Sequence, residues 1–124
     1  MNQLLWIGLG GFFGAIARYS LSAWVQRWAP QAFPLGTLVV NGLGCLVIGA
    51  LMAWLERGAS PVLRPLIGVG FLGALTTFST FGYETLVLLR QGDALLAAAS
   101  VAANVLVALG AVWLGVTLVE SLAG

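Results

Sequence analysis

A chain of 124 residues that is 60% hydrophobic carries only five basic and four acidic side chains, for a net charge of +1, and its mean hydropathy is +1.04. A soluble domain of this size could not hide so much apolar surface, which leaves a polytopic, all-α membrane protein. With no histidine and only Cys45, the chain lacks raw material for a transition-metal site, a disulfide framework or a Cys/His catalytic pair, and with no basic stretch it is a poor partner for nucleic acid.

Four apolar stretches are long enough to cross a bilayer, at about 4–25, 35–55, 66–89 and 95–119, against a requirement of ~20 residues each. They predict one four-helix membrane domain over 1–124. The first begins almost at once after Met1, without a basic n-region or a small-residue cleavage site, and is expected to stay as a membrane helix rather than be removed as a signal peptide. Short connections at Gln26–Pro34, Glu56–Pro65 and Arg90–Asp93 join the spans. Trp6, Trp24, Trp28 and Trp54 sit near span ends, where indoles favour the interface, and Trp113 lies deeper and is expected to pack. Orientation should follow the arginines, since there are no lysines. One side of the membrane receives Arg57 and Arg64, the other Arg27 and Arg90, a tie. Either other cues choose one orientation, or both orientations insert and pair as an antiparallel dimer.

In the first span Gly10, Gly14, Arg18 and Ser22 recur every four residues. Gly10 and Gly14 fit the small-xxx-small pattern by which membrane helices approach closely. Arg18 lies about two-thirds along the span, where a charge costs ~3 kcal/mol on insertion scales. It must face a cavity, find a partner or snorkel; a positive vestibule that draws anions inward is the functional alternative.

In the second span Thr37, Asn41 and Gly44 fall on one helical face. The Asn41 amide offers two N–H donors that could meet an anion, or it could hydrogen-bond to another helix for ~0.6–2 kcal/mol.

The third span contains the sequence TTFSTF at 76–81. The apolar run before it, Leu66 to Leu75, rises about 15 Å, roughly half of a ~30 Å hydrocarbon core, which puts the polar knot near the midplane. Thr76, Thr77, Ser79 and Thr80 compete for backbone hydrogen bonds, and a helix break is expected there. Such a break frees carbonyls that can bind a bare cation and amides that can bind an anion, and at this depth it is tolerated only in protein or beside a watery cavity. Phe78 and Phe81 project from the break on nearby faces, either as packing or with their positive ring edges towards an anion. Glu84 follows, expected to be protonated or hydrogen-bonded to a hydroxyl. The fourth span is almost all Ala, Val and Leu, interrupted by Ser100 and Asn104 four residues apart, and they either line the same pathway or join helices.

Gly10-Gly11, Gly14-Ala15 and Arg18-Tyr19, then GTLVVNGLG at 36–44, then GFLGALTTFSTF at 70–81, resemble the Fluc (CrcB) family of fluoride channels over essentially the whole chain. The resemblance implies a passive, fluoride-selective channel of the bacterial inner membrane, built as an antiparallel homodimer with two pores. It implies that Phe78 and Phe81 line the fluoride path, that Asn41 contacts fluoride with Thr37 on the same face, and that Ser79 and Thr80 supply hydroxyls. Ser100 and Asn104 are the residues available for the fourth span's share of the pore, and Arg18 corresponds to a vestibule arginine. A structural sodium ion at the dimer axis would be held by backbone carbonyls of Gly73 and Thr76.

Two other readings compete. A small proton-coupled multidrug exporter would need an accessible intramembrane carboxylate on its substrate path, whereas the first span carries Arg18 and the one deep acid, Glu84, follows an aromatic break. A membrane scaffold would leave Arg18, Asn41 and the TTFSTF knot without a shared purpose. An enzyme has no nucleophile–base pair to work with.

Overall fold

The computed structural model describes residues 2–30 and 32–124. Among these, helix α1 spans Asn2–Gln26, α2 Leu35–Glu56, α3 Gly73–Leu75, α4 Ser79–Arg90 and α5 Ala94–Ala123; a π-helical segment, Arg64–Leu72, runs directly into α3. Four helical stretches are long and apolar enough to cross a membrane, Asn2–Gln26, Leu35–Glu56, Arg64–Arg90 and Ala94–Ala123, which makes this a multi-pass membrane protein. Each runs at least as far as the hydropathy suggests, and the third is bent in its middle.

Prolines end and start the spans as their chemistry requires. Pro30 and Pro34 bracket the first connection, and Pro34, which has no N–H to lose, sits immediately before α2. The bare amino end of α2 is capped from a distance. The Gln26 side chain donates from Nε2 to the Phe33 carbonyl at 2.9 Å and accepts the Gly36 N–H on Oε1 at 3.0 Å, tying the loop to both helices. Pro65 opens the π-helical segment; lacking an N–H, it cannot supply an α-type hydrogen bond. Widened turns of this kind occur mostly as single-turn bulges, often beside functional sites.

Lipid is as apolar as leucine, so apolar burial gives helices little reason to associate in it, and close backbone contact takes its place. Gly10 faces the Leu66 carbonyl and the Phe71 amide, and Gly14 faces the Phe71 carbonyl, so closely that neither has room for a β-carbon. The small-residue face of α1 therefore seats the first half of the third span. A second pair, which the spacing of small residues in the sequence does not single out, locks α2 to α5: Gly49 abuts the Val112 carbonyl and Gly115 abuts that of Leu46. The buried core is small, consisting of Val40, Leu51, Leu72 and Leu75 with Ala17, Leu21, Ile48, Ile67 and Phe71 around it. Most other large apolar side chains face outward. Trp113, expected to pack, is one of them, 68% exposed within the single chain.

Gly14→Val forces the third span away from α1 at a backbone carbonyl that cannot yield as a flexible side chain could. Overpacking of this type costs about 1–3 kcal/mol, and the melting temperature in detergent is expected to fall by roughly 5 °C or more. An unchanged melting curve would contradict this packing.

Candidate functional site at the broken helix

Three residues make the break. Leu75 ends the first half-helix, Thr76 turns to extended backbone (φ −81°, ψ 154°), and Phe78 returns to helical angles (φ −89°, ψ −36°) before α4 begins. Side chains take over the hydrogen bonding that the helix gives up. Thr76 sends both its N–H and its hydroxyl to the Leu72 carbonyl, at 3.0 and 2.9 Å. The Asn41 amide matches the Thr77 peptide group on both sides. Its Oδ1 accepts the Thr77 N–H at 2.8 Å and its Nδ2 donates to the Thr77 carbonyl at 3.1 Å. The Thr80 N–H goes to the Thr77 hydroxyl at 3.1 Å. On the α1 side, Arg18 Nε donates to the Ala74 carbonyl at 2.9 Å.

This pattern leaves carbonyls at the break without their helical donors. In an unbroken helix the N–H groups of Thr77 and Thr80 would close on the carbonyls of Gly73 and Thr76. Here both are diverted to side chains, so those two carbonyls lose their helical donors, while those of Leu72, Ala74 and Thr77 are engaged.

An open-sided cavity of about 400 Å³ lies between α2, the break and α5. Of the residues singled out from sequence, Asn41, Gly73, Thr76, Phe78, Phe81 and Asn104 lie on its wall, together with Gly44 and Cys45. Thr37, Ser79, Thr80, Ser100 and Arg18 do not. Phe78 is 84% exposed within the chain and Phe81 half-buried. Their ring centroids lie 5.7 Å apart with planes inclined at 50°, a tilted pair rather than a stack.

The remaining polar groups form two further links. Buried Thr37 donates to the Glu84 carboxyl at 2.5 Å, so the hydroxyl partner expected for this acid is present. Asn41 Nδ2 also donates to Asn104 Oδ1 at 3.1 Å, and Asn104 Nδ2 donates to the Ser100 carbonyl at 2.9 Å. The face carrying Thr37, Asn41 and Gly44 therefore looks onto the second half of the third span and onto α5. Both donors of Asn41 are engaged within the chain, and Ser100 with Asn104 joins α5 to that network. Arg18 finds a partner and does not need to snorkel. Sequence reasoning treats Thr77 as one hydroxyl among several and misses that its peptide group is what Asn41 grips. The available signal is that a mid-span amide complements a peptide group left open by a break.

Residues 5–116 match the family model described as CrcB-like protein, Camphor Resistance (CrcB). Among curated relatives, a fluoride-specific ion channel FluC of Shewanella sp. (strain ANA-3) is 48% identical over 122 residues, covering 98% of each chain. A protein of the same name from Campylobacter jejuni subsp. jejuni serotype O:6 is 47% identical over 116 residues, 93% of this chain and 95% of its own. Another, from a Nitratiruptor species, is 39% identical over 118 residues, 95% of this chain and 92% of its own. With the family model spanning nearly all four helices, and relatives this similar end to end, the chain belongs to the CrcB family of fluoride-specific ion channels.

Proposed function

We propose that this protein is a passive, fluoride-selective channel of the bacterial inner membrane that lets fluoride leave the cytoplasm. The observation that carries the reading is the break, whose phenyl pair shares one cavity with the amides of Asn41 and Asn104. A fluoride ion there exchanges part of its hydration shell for hydroxyls, amide N–H groups and positive ring edges. Phe78 and Phe81 present the ring edges. Asn41 meets the ion by exchanging its bond to Asn104 for one to fluoride, while its bonds to Thr77 hold the break. Thr37, Ser79, Thr80 and Ser100 carry the polar line away from the cavity. Chloride is excluded by the width of the path and by the weaker field it generates at these donors. No energy source is required: hydrogen fluoride enters as the neutral acid, ionises inside, and the anion leaves down its electrochemical gradient.

The working unit in this reading is an antiparallel homodimer with two pores. The tied arginine count supports it, and so does a cavity that one chain leaves open at its side. Two copies bring their breaks together, and the carbonyls of Gly73 and Thr76 from each chain would hold a sodium ion at the axis. The fit rests on both carbonyls having lost their helical donors, the N–H groups of Thr77 and Thr80. When bound, the ion supplies a positive charge that ties the two breaks together.

The cellular test is rescue of a bacterial strain lacking its own fluoride exporter. Expression of this chain is expected to restore growth at fluoride concentrations that stop the empty-vector strain. Growth no better than empty vector, with the protein present in the membrane fraction, would count against the reading.

A further inference from the structure

On α1 the residues Gly10, Gly14 and Arg18 form one line at four-residue spacing, and all three meet backbone of the third span. Gly10 meets Leu66 and Phe71, Gly14 meets Phe71, and Arg18 meets the Ala74 carbonyl. The two glycines bring the backbones together, and the arginine completes the contact at the point where the first half-helix stops. The atom that makes the bond is Nε, the first nitrogen of the side chain, not one of the terminal nitrogens that carry most reach. A role for Arg18 as a charge that attracts anions does not require a particular N–H. The observed geometry does.

The Ala74 carbonyl is also the acceptor that the Phe78 N–H would use in a continuous helix. We propose that Arg18 is a positioning residue of the break: through its Nε–H it takes the place of the Phe78 amide at the Ala74 carbonyl. It thereby keeps Phe78 out of the first half-helix and leaves the Thr77 peptide to Asn41. Arg18 from α1 and Asn41 from α2 then grip adjacent parts of one break from different helices, at 2.9 Å and at 2.8 and 3.1 Å. The positive charge is incidental to this role; the donor at the ε position is not. The flux readout below rests on the fluoride-channel reading, whereas the spectroscopic one does not.

Two substitutions separate donor from charge. In glutamine the amide nitrogen is attached to Cδ, where arginine has Nε, so Arg18→Gln keeps an N–H donor at that position and removes the charge. Arg18→Lys keeps the charge but has a methylene at the ε position. With one positioning hydrogen bond at stake, fluoride efflux from liposomes is expected to stay within about threefold of wild type for R18Q and to fall by about tenfold or more for R18K. The reverse order, with R18K active and R18Q silent, would overturn the proposal and restore a charge-based role. Because either variant could fail to assemble, the unmodified protein supplies the second test. Of its five arginines, nuclear magnetic resonance on ¹⁵N-arginine-labelled protein is expected to show one Nε–H strongly protected from solvent exchange and assignable to Arg18. A rapidly exchanging Arg18 Nε–H would refute the assignment. If the wild-type protein passes no fluoride, the channel reading fails while this measurement still decides the role of Arg18.

Discussion

Replacing Phe81 by isoleucine is expected to cut fluoride efflux roughly 100-fold, about 2.7 kcal/mol at 1.36 kcal/mol per decade, while leaving the protein folded. Isoleucine fills much of the same space and is as apolar, so packing around α4 changes little. What it lacks is the quadrupole of the ring, whose positive edge can face an anion that has shed part of its water. An ion that leaves water without compensating partners meets a penalty larger than the expected loss, so the phenyl pair has leverage out of proportion to its size. Phe78, more exposed within the chain than Phe81 and tilted at 50° to it, is expected to respond in the same direction. The check is the initial rate of fluoride release from liposomes at matched protein content, beside elution volume in detergent. Wild-type release from both Phe81→Ile and Phe78→Ile would remove the ring edges from the fluoride path.

The second large effect is expected at Asn41. Asn41→Asp exchanges the Nδ2 group, which donates to the Thr77 carbonyl and to Asn104 Oδ1, for an oxygen that faces two acceptors. A carboxylate here also costs ~3 kcal/mol for a charge within the span and repels an approaching anion. Fluoride efflux is expected to fall by about 100-fold or more, a change of at least about 2.7 kcal/mol. Asn41→Ala makes a useful contrast, because it introduces no charge but leaves both the N–H and the carbonyl of Thr77 without their partner. At about 1–3 kcal/mol for each unsatisfied group, this variant should also unfold at lower temperature in detergent. Unchanged flux in Asn41→Asp would take Asn41 out of the site, and an unchanged melting point in Asn41→Ala would contradict its grip on the break.

Much of this was legible in the residues. Apolar runs of about twenty residues or more gave all four spans, because hydropathy and chain length leave a membrane helix few alternatives. The break was legible because four hydroxyl residues within 76–80 offer the backbone other partners. The glycine line on α1 was legible because small residues at four-residue spacing share a face. What composition and spacing do not carry is which donor meets which acceptor. The sequence leaves Asn41 between meeting an anion and bonding to another helix, and only the structure shows that its amide partners the Thr77 peptide. For Arg18 the sequence calls for a cavity, a partner or snorkelling, without naming the partner, which is the Ala74 carbonyl reached through one N–H. The reciprocal seats of Gly49 and Gly115 are properties of how helices dock. They appear only when α2 and α5 are in place beside each other.

Selective, passive fluoride movement through this one protein is the central expectation of the proposed function. The direct measurement is release of fluoride from liposomes containing purified protein, followed with a fluoride electrode after valinomycin allows potassium to accompany the anion. Rapid release from fluoride-loaded vesicles and none from chloride-loaded vesicles measured with a chloride electrode is the predicted result. Silence in fluoride from protein that is folded in the vesicles, or equal release of both anions, would contradict it.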